Sequence, residues 1–373
     1  MQPPTISYLT NIYFETGAAG LLADVLAQHA IARPLIVTDE GLVSLGILDR
    51  LPITGAAVFS QVQTNPTEAN VLAGLKAYRE GQCDGLVAVG GGSPIDCAKG
   101  IALLATHPEP LEQYAFLEGG LTKVTGDKPP LIAVPTTAGS GSEVGRAALL
   151  TMSSGRKLAI ISGHMIPSAV ISDPDLTVGM PPLLTAASGM DAITHCVEVY
   201  CSRKINPVAD AIALDGLNRG TKAIRTATQN GSDIRARSEM LMCALEGGLG
   251  FQKGLGLIHS LSHPLGALEE KLLHHGTLNA IFLPHVLEFN MDVCPEKMDA
   301  MARMMGAQTR DSLPDACRQL ISELGLPLRL GELDLTEDDV TPLAEAAFKD
   351  HSTPPNPRDA TEADCLALFK TAL

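Results

Sequence analysis

Residues 85–100 read GLVAVGGGSPIDCAKG, and this stretch decides the fold of the first half of the chain. Residues 85–89 have the length and composition of a buried strand, and a helix is predicted over about 94–105. Glycines and Ser93 connect the two. Glycine lets the backbone approach a ligand closely, and the start of a helix offers free N–H groups and a positive dipole end. The stretch therefore predicts a strand, a phosphate-binding loop and a helix.

Strands and helices alternate on both sides of this stretch. Because strands that are joined through helices run parallel, the alternation predicts a parallel sheet with helices on both of its faces. The other candidate strands cover residues 35–38, 53–60, 131–134 and 169–172, and a helix capped by Thr67 extends to about residue 80.

The pattern changes after Pro181 and Pro182. Apolar residues there recur mostly every three or four positions, as on the buried face of a helix. The sequence therefore predicts an α/β domain over residues 1–180 and an all-helical domain over residues 181–373. The candidate helices cover residues 185–201, 207–227, 233–251, 258–270 and 276–290, and shorter helices follow.

A second loop of small and hydroxyl residues, TTAGSGS at 136–142, follows the strand at 131–134. Carboxyl ends of parallel strands meet at one edge of a sheet, so the two loops together indicate a ligand-binding crevice. The glycine loop departs from the usual GxGxxG motif and follows the third strand, so the ordinary dinucleotide pattern does not transfer directly. Asp39, at the end of the first strand, is either a ribose-binding acid or the cap of a turn.

The composition excludes several classes of partner. The chain has 373 residues, a formal net charge of −15 and an isoelectric point near 5.0. An acidic surface repels nucleic acids and anionic membranes, and no apolar run approaches the ~18 residues that span a bilayer. The eight cysteines contain no CxxC pair, which is typical of reduced thiols. With no apolar leader visible at the N-terminus, we expect a cytoplasmic protein.

Histidine carries the chemistry of the second half. Five of the ten histidines lie between residues 259 and 285, and His259 and His263 are one helical turn apart. Asp191 and His195 have the same spacing. Imidazole and carboxylate groups from facing helices are ligands for Fe²⁺ or Zn²⁺, and the lack of a suitably spaced cysteine favours a catalytic site with an open position. Each histidine alone is an ordinary helical residue, but the set converges in one predicted domain.

Over essentially its whole length the sequence resembles the iron-containing (group III) alcohol dehydrogenases. The matching motifs are long and occur in order. They are VGGGSPIDCAK at 89–99, PTTAGSGSEV at 135–144, DPDL at 173–176, GMDAITH at 189–195, HSLSHPLGA at 259–267, HG at 275–276, NA at 279–280, LPH at 283–285 and NPR at 356–358.

The resemblance implies a dinucleotide-binding α/β domain, an all-α C-terminal domain as in dehydroquinate synthase, and an active site in the cleft between them. It also implies a set of site residues. Asp191, His195, His259 and His275 would bind Fe²⁺, with Zn²⁺ as an alternative, and His263 would assist proton transfer as the catalytic residue. NAD would be held by Gly91, Gly92, Ser93, Thr136, Thr137 and Ser140, with contributions from Asn65, Asp96 and Lys157 and with Asp39 at the adenosine ribose.

Two features depart from the family pattern. The segment between His263 and His275 is slightly longer than is common, so His274 competes with His275 as the last ligand. We favour His275, because family members place this ligand directly before glycine. Ser140 stands where threonine is common, and both residues keep the hydroxyl group.

The resemblance implies a metal-dependent, NAD(H)-linked alcohol dehydrogenase that interconverts a small primary alcohol and its aldehyde by hydride transfer, with the substrate oxygen on the metal. A carboxylate at Asp39 would repel the 2′-phosphate of NADP(H), which favours NAD(H). Family members are usually oligomeric, so we expect a homo-oligomer such as a dimer. The alternatives are a maleylacetate reductase, a polyol dehydrogenase or a lyase of the same superfamily, and a non-catalytic nucleotide or metal sensor.

Overall fold

The computed structural model describes Tyr8, residues 10–268, Lys271 and residues 273–373. Within these residues the chain forms two compact units. One, the α/β unit, comprises Tyr8–Thr137 and Gly141–Val178, and the other, the helical unit, contains Ala138–Ser140 and Gly179–Leu373. The predicted fold class, an α/β part with a parallel sheet followed by an all-helical part, is confirmed. The assignment of cofactor and metal to domains divided at residue 180 stays a prediction.

The α/β unit is built on a six-stranded sheet in which all neighbouring strands run parallel, in the order β1-β8-β5-β4-β2-β3. The remaining two strands, β6 and β7, form a separate antiparallel hairpin. The strands are β1 Asn11–Phe14, β2 Pro34–Val37, β3 Ala57–Phe59, β4 Gly85–Gly90, β5 Leu131–Pro135, β6 Ala147–Thr151, β7 Lys157–Ile161 and β8 Ala169–Ser172.

Helices cover both faces of this sheet, as the alternation predicts. On β4, Leu86 and Ala88 join one hydrophobic core and Val87 and Val89 join the other, because successive side chains of a strand point to opposite faces. The central strands have a buried core on each face, so successive residues along them are all apolar. The helices are α1 Leu22–Gln28, α2 Glu40–Ser44, α3 Glu68–Glu80 and α4 Gly92–Leu104.

Three details of the α/β unit differ from the sequence prediction. The strand predicted over 53–60 is only three residues long, because Gly55 has a left-handed backbone (φ 73°) before it begins. Strand β1 was not predicted, since it lies at the sheet edge and its side chains are half-buried or exposed. The hairpin β6–β7 was also missed. The predicted cap of α3 is confirmed, because the Thr67 side chain accepts from the Asn70 N–H.

The helical unit surrounds one almost completely buried helix. This helix, α5 Pro182–Cys201, packs against α6 Pro207–Gln229, α7 Ile234–Gly250 and α9 His275–Asn290. The close approach of α7 to α5 requires Gly247, because a Cβ there would lie 2.9 Å from the Cβ of His195. The other helices are α8 Leu257–Leu265, α10 Pro295–Met305, α11 Leu313–Glu323, α12 Glu337–Val340, α13 Ala344–Phe348 and α14 Glu362–Ala372.

The helix predicted over 258–270 ends earlier than expected. It stops at Leu265, with Gly266 as its C-cap, and residues 269 and 270 lie outside the described part of the chain. Among the residues that the structure describes, no helix combines the length and apolarity needed to cross a membrane.

Candidate active site

Three helices bring together the four side chains that the resemblance implies as metal ligands. Asp191 and His195 lie one turn apart on α5, His259 lies on α8, and His275 is the first residue of α9. The Asp191 Oδ1 atom is 3.7 Å from His195 Nε2, 3.8 Å from His259 Nε2 and 3.7 Å from His275 Nε2. Asp191, His195 and His259 are buried, and His275 is half-buried. Three imidazoles of the helical unit therefore surround one oxygen of the Asp191 carboxylate.

The donor set fits a divalent cation. Asp191 Oδ1 lies 3.7 to 3.8 Å from each of the three Nε2 atoms. The ligand atoms of Asp191, His195 and His259 also lie within 4.8 Å of one another, so these three residues can share one ion. The converging atoms are all hydrogen-bond acceptors when the imidazoles are neutral, and burial lowers the pKa of both His195 and His259 to about 4. A buried cluster of acceptors is stabilised by a positive charge at its centre.

Asn279 lies among the same atoms, and the sequence analysis assigned it no role. Its Nδ2 donates to Asp191 Oδ1 at 2.7 Å and lies 3.1 Å from the Nε2 atoms of both His259 and His275. Its Oδ1 is buried and has no hydrogen-bond partner in the described residues. Asn279 follows His275 by four positions on α9, and this one-turn spacing could have revealed it.

Two of the imidazoles also have an oxygen atom at hydrogen-bond distance from Nδ1, the ring nitrogen that is not near Asp191. His195 Nδ1 is 3.2 Å from the carbonyl oxygen of Gly139, and His259 Nδ1 is 2.5 Å from Glu198 Oε2. Burial raises the pKa of Glu198 to about 8, so burial disfavours the charged form of both members of this pair. The sequence analysis missed Glu198, although Asp191, His195 and Glu198 follow the i, i+4, i+7 pattern of one helix face.

The structure also distinguishes between His274 and His275, the two adjacent candidates for the last metal ligand. His275 presents Nε2 to Asp191, as given above, and begins helix α9. His274 is the residue before the helix, and its buried Nδ1 has no hydrogen-bond partner among the residues described. Burial lowers the pKa of His274. This arrangement supports His275 as the ligand, as predicted from the following glycine.

His263, the predicted proton-transfer residue, lies one turn after His259 and is buried. Its Nδ1 is 2.9 Å from Asp350 Oδ2. Its ring stacks on His275 at a centroid distance of 5.6 Å and on His351 at 5.4 Å. No local pattern in the sequence indicates Asp350 or His351, because they are distant from His263 along the chain. Burial raises the pKa of Asp350, but His263 and His351 more than offset this and hold it well below the ordinary value.

The predicted phosphate loop lies at the carboxyl end of β4 in the α/β unit. Gly91 is the N-cap of α4, and the helix begins at Gly92. A Cβ on Gly91 would lie 2.8 Å from Thr137 Oγ1, so a side chain would fill the space in front of the helix N-terminus. The Thr136 N–H donates to the Gly90 carbonyl, which joins the ends of β4 and β5, and Thr136 Oγ1 is buried without a partner in the described chain.

This loop fits a pyrophosphate. The first N–H groups of an α-helix have no partner within the helix, and they attract an anion together with the helix dipole. Ser93 is in the first turn of α4 and can add its hydroxyl. Ser140 belongs to the short segment Ala138–Ser140 of the helical unit, whereas Thr136 and Thr137 belong to the α/β unit.

The remaining predicted cofactor residues have partners of their own. Lys157 Nζ donates to Asn65 Oδ1 at 2.8 Å, and Asn65 has a left-handed backbone (φ 57°). The Asp96 carboxylate accepts from the Ser142 hydroxyl and, at 2.9 Å, from the Leu149 N–H. Asp96 therefore holds the hairpin β6–β7 in place. Burial raises the pKa of Asp96, and Lys99 partly offsets this.

Asp39 caps a turn, which was the alternative to its predicted role in binding the ribose. It is the N-cap of α2, and its Oδ1 accepts from the Leu42 N–H at 2.9 Å. A carboxylate has two oxygens, so capping by Oδ1 does not exclude a second contact to a ribose through Oδ2.

Comparisons with known proteins agree with this fold. Residues 10–174 match the iron-containing alcohol dehydrogenase family, and residues 185–373 match the C-terminal region of the Fe-containing alcohol dehydrogenase family. The chain therefore belongs to the iron-containing alcohol dehydrogenase family. It is an oxidoreductase that acts between alcohols and aldehydes.

Its relatives act on small substrates. The chain is 46% identical to a 4-hydroxybutyrate dehydrogenase of Cupriavidus necator, and the match covers 99% of both chains. It is 40% identical to a 1,3-propanediol dehydrogenase of Klebsiella pneumoniae over 91% of both. It is 35% identical to a lactaldehyde reductase of Escherichia coli over 96% of this chain and 97% of the relative.

Solved structures show the same fold. A crystal structure of a 1,3-propanediol oxidoreductase matches with a TM-score of 0.93 and 37% identity over 99% of this chain and 100% of that one. A sulfoacetaldehyde reductase from Bifidobacterium kashiwanohense in complex with NAD⁺ matches with a TM-score of 0.89 and 26% identity, over 100% and 99% of the two chains.

Proposed function

We propose that this oxidoreductase uses NAD(H) and a divalent metal, Fe²⁺ or alternatively Zn²⁺, to interconvert a small primary alcohol and its aldehyde. The observation that carries the proposal is that the Nε2 atoms of His195, His259 and His275 all lie within 3.8 Å of one oxygen of Asp191. These four residues would hold the ion. When bound, the ion supplies a Lewis acid that polarises the oxygen of the substrate.

The protein supplies a route for the proton. Oxidation of an alcohol releases a hydride and a proton, and the hydride goes to the nicotinamide. His263 Nδ1 lies at hydrogen-bond distance from Asp350. With the proton on Nδ1 toward Asp350, His263 Nε2 is free to accept the proton that the substrate loses. His351, which stacks on His263, would extend this path toward solvent.

The cofactor would be bound mainly by backbone groups. Gly91, Gly92 and Ser93 at the start of α4 would hold the pyrophosphate, and the hydroxyls of Thr136, Thr137 and Ser140 would contact the phosphate and ribose oxygens. Asn65, Asp96 and Lys157 would support the same site. Asp39 would accept a hydrogen bond from the adenosine ribose and repel the extra phosphate of NADP(H). The structural relative bound to NAD⁺ supports this choice of cofactor.

The substrate is proposed from the size class of the relatives. 4-Hydroxybutyrate, 1,3-propanediol and lactaldehyde are all short molecules that carry a second polar group in addition to the reacting alcohol or aldehyde group. We propose a substrate of the same class. We also propose that the enzyme works in the cytoplasm as a homodimer; its eight cysteines are all free thiols, as expected of a reducing compartment.

The proposal is tested with anaerobically purified protein. Metal content is measured first, and then NADH formation or consumption is followed with 4-hydroxybutyrate, 1,3-propanediol, lactaldehyde and their oxidised or reduced partners. We expect turnover that chelation abolishes and Fe²⁺ or Zn²⁺ restores. Light scattering coupled to size exclusion tests the dimer.

Other outcomes would select the alternatives. A solved maleylacetate reductase from Agrobacterium tumefaciens also shares the fold, with a TM-score of 0.82 and 26% identity over 100% of this chain and 99% of that one. Turnover of maleylacetate alone would favour that activity. No turnover by protein that binds both metal and NADH would contradict an enzymatic role and favour a sensor.

A further inference from the structure

Glu198 is a buried carboxylate on the helix that carries two of the proposed metal ligands. It lies one turn beyond His195 on α5 and is 4% exposed. Its two oxygens have different partners on α8. Oε2 is 2.5 Å from His259 Nδ1, and Oε1 accepts from the Ile258 N–H at 2.6 Å. One side chain of α5 therefore contacts both the backbone and a proposed ligand of another helix.

The start of α8 is shaped to receive this carboxylate. The N-cap of α8 is Gly256, which has no side chain to satisfy the first N–H groups of the helix. A Cβ at Gly256 would lie 2.9 Å from Glu198 Oε1. Glu198 thus caps α8 from a neighbouring helix. The Ile258 N–H and the positive end of the helix dipole favour the charged form of Glu198 and oppose the effect of burial on its pKa.

The contact to His259 also decides which ring nitrogen faces the proposed metal. A neutral imidazole carries a proton on one nitrogen and a lone pair on the other. An acceptor at Nδ1 keeps the proton there and leaves the lone pair on Nε2, the atom that lies 3.8 Å from Asp191 Oδ1. The Nδ1 atom of His195 lies 3.2 Å from the carbonyl oxygen of Gly139, so the contact of His259 with Glu198, at 2.5 Å, is the shorter of the two.

We propose that Glu198 is a positioning residue that sets the metal affinity of the centre, by fixing His259 in the tautomer with Nδ1 protonated and by anchoring α8 to α5. This inference rests on the proposed metal centre. Carboxylate partners of ligating histidines orient the ring and raise its basicity, and their loss typically weakens metal binding by about 10- to 100-fold.

The test compares Glu198→Gln with wild type and a matched control. The amide keeps the size of the side chain but has one acceptor for two donors, so its NH₂ faces either Ile258 N–H or His259 Nδ1. Glu68→Gln is the control, because Glu68 is also buried and also accepts backbone N–H bonds, from Leu111 and Ser153, in the α/β unit. Affinity for Zn²⁺ and Co²⁺ is measured by competition with a chelator of known affinity.

We expect about 10- to 100-fold weaker metal binding in Glu198→Gln and wild-type binding in Glu68→Gln. A folded Glu198→Gln protein with wild-type affinity would overturn the role of Glu198 and leave the metal centre standing. Wild-type protein that binds neither ion would overturn the metal centre and, with it, this inference.

A second measurement does not depend on whether Glu198→Gln folds. Histidine ¹⁵N chemical shifts of metal-free wild type report the tautomer of each neutral ring, and His259→Gln identifies the signal of His259. The inference requires that Nδ1 carries the proton in His259. An Nε2-protonated His259 would overturn it.

Discussion

The two proposed sites of this protein are built from different parts of the chain. In the α/β unit, the proposed phosphate site is made of backbone N–H groups. Gly91 and Gly92 leave this site open because they have no side chains. In the helical unit, the proposed metal site is made of side-chain atoms from three separate helices. A backbone site is local and depends on a few consecutive residues, whereas a side-chain site depends on how distant helices pack.

The largest effect is expected from removing the carboxylate of the metal site. Asp191→Asn keeps the shape of the side chain but loses the negative charge that faces three imidazoles. We expect loss of the metal and a fall in kcat/KM on the order of 10³-fold or more, since a Lewis acid contributes several kcal/mol to such reactions. Metal analysis and steady-state kinetics measure this.

The same variant also tests whether the two sites are independent. Binding of NADH, followed by its fluorescence, is expected to stay within about twofold of wild type, because the phosphate site does not use these side chains. An Asp191→Asn protein that retains metal and turnover would contradict the assignment of the metal site.

A smaller and complementary effect is expected at the backbone site. In Gly91→Ala the new Cβ would lie 2.8 Å from Thr137 Oγ1, so Thr137 must rotate and the cradle narrows. We expect the KM for NAD to rise about 10- to 100-fold, equivalent to the 1–3 kcal/mol typical of overpacking, with unchanged metal content.

Gly163→Ala is the matched control, because a Cβ there contacts nothing within 4 Å. Equal KM values for NAD in Gly91→Ala, Gly163→Ala and wild type would show that the glycine loop does not hold the cofactor.

Asp39 combines a structural and a proposed binding role, and one substitution separates them. Asparagine caps helices about as well as aspartate, so Asp39→Asn should keep the bond to the Leu42 N–H and remove only the charge. We expect the ratio of kcat/KM for NADP to that for NAD to increase about tenfold, while the melting temperature changes little. An unchanged ratio would mean that Asp39 only caps α2 and does not affect the choice between NAD and NADP.

The smallest effect is expected from a buried acid that, unlike Glu198, has an oxygen without a partner. Glu143 is 2% exposed, its Oε1 has no hydrogen-bond partner in the described residues, and burial raises its pKa to about 7. Because the folded state holds this proton more tightly than the unfolded chain, the stabilisation is complete below the unfolded pKa of about 4.5. It is lost as the pH rises through 7.

Glu143→Gln cannot titrate, so its melting temperature should fall less than that of wild type between pH 5 and pH 8. The raised pKa corresponds to a change in the free energy of unfolding on the order of 3 kcal/mol. Such a change shifts the melting temperature by a few degrees. Parallel curves for the two proteins would show that Glu143 does not titrate in this range.

Local patterns in the sequence were enough to predict most of the α/β unit. The apolar run of residues 85–89, the three glycines and the Thr67 cap each act on neighbours in the chain, and the structure forms the strand, loop and helix that they indicate. Edge strand β1 was not predicted, because its side chains are half-buried or exposed. The hairpin β6–β7 was missed although its strands contain the apolar runs AALL and LAII, because periodicity alone does not distinguish a short apolar run in a strand from part of a buried helix.

The family, the alternation of the central strands with helices, and the one-turn pairs Asp191 with His195 and His259 with His263 could all be predicted from the sequence, because these patterns are local. Only the tertiary structure decided that Asn279 reaches three of the proposed ligands, that Glu198 holds His259, and that Asp350 holds His263. Apart from the contact of Asn279 with His275, four positions away, these contacts join residues between 20 and 88 positions apart in the chain. They are set by helix packing around α5, which no local sequence pattern specifies.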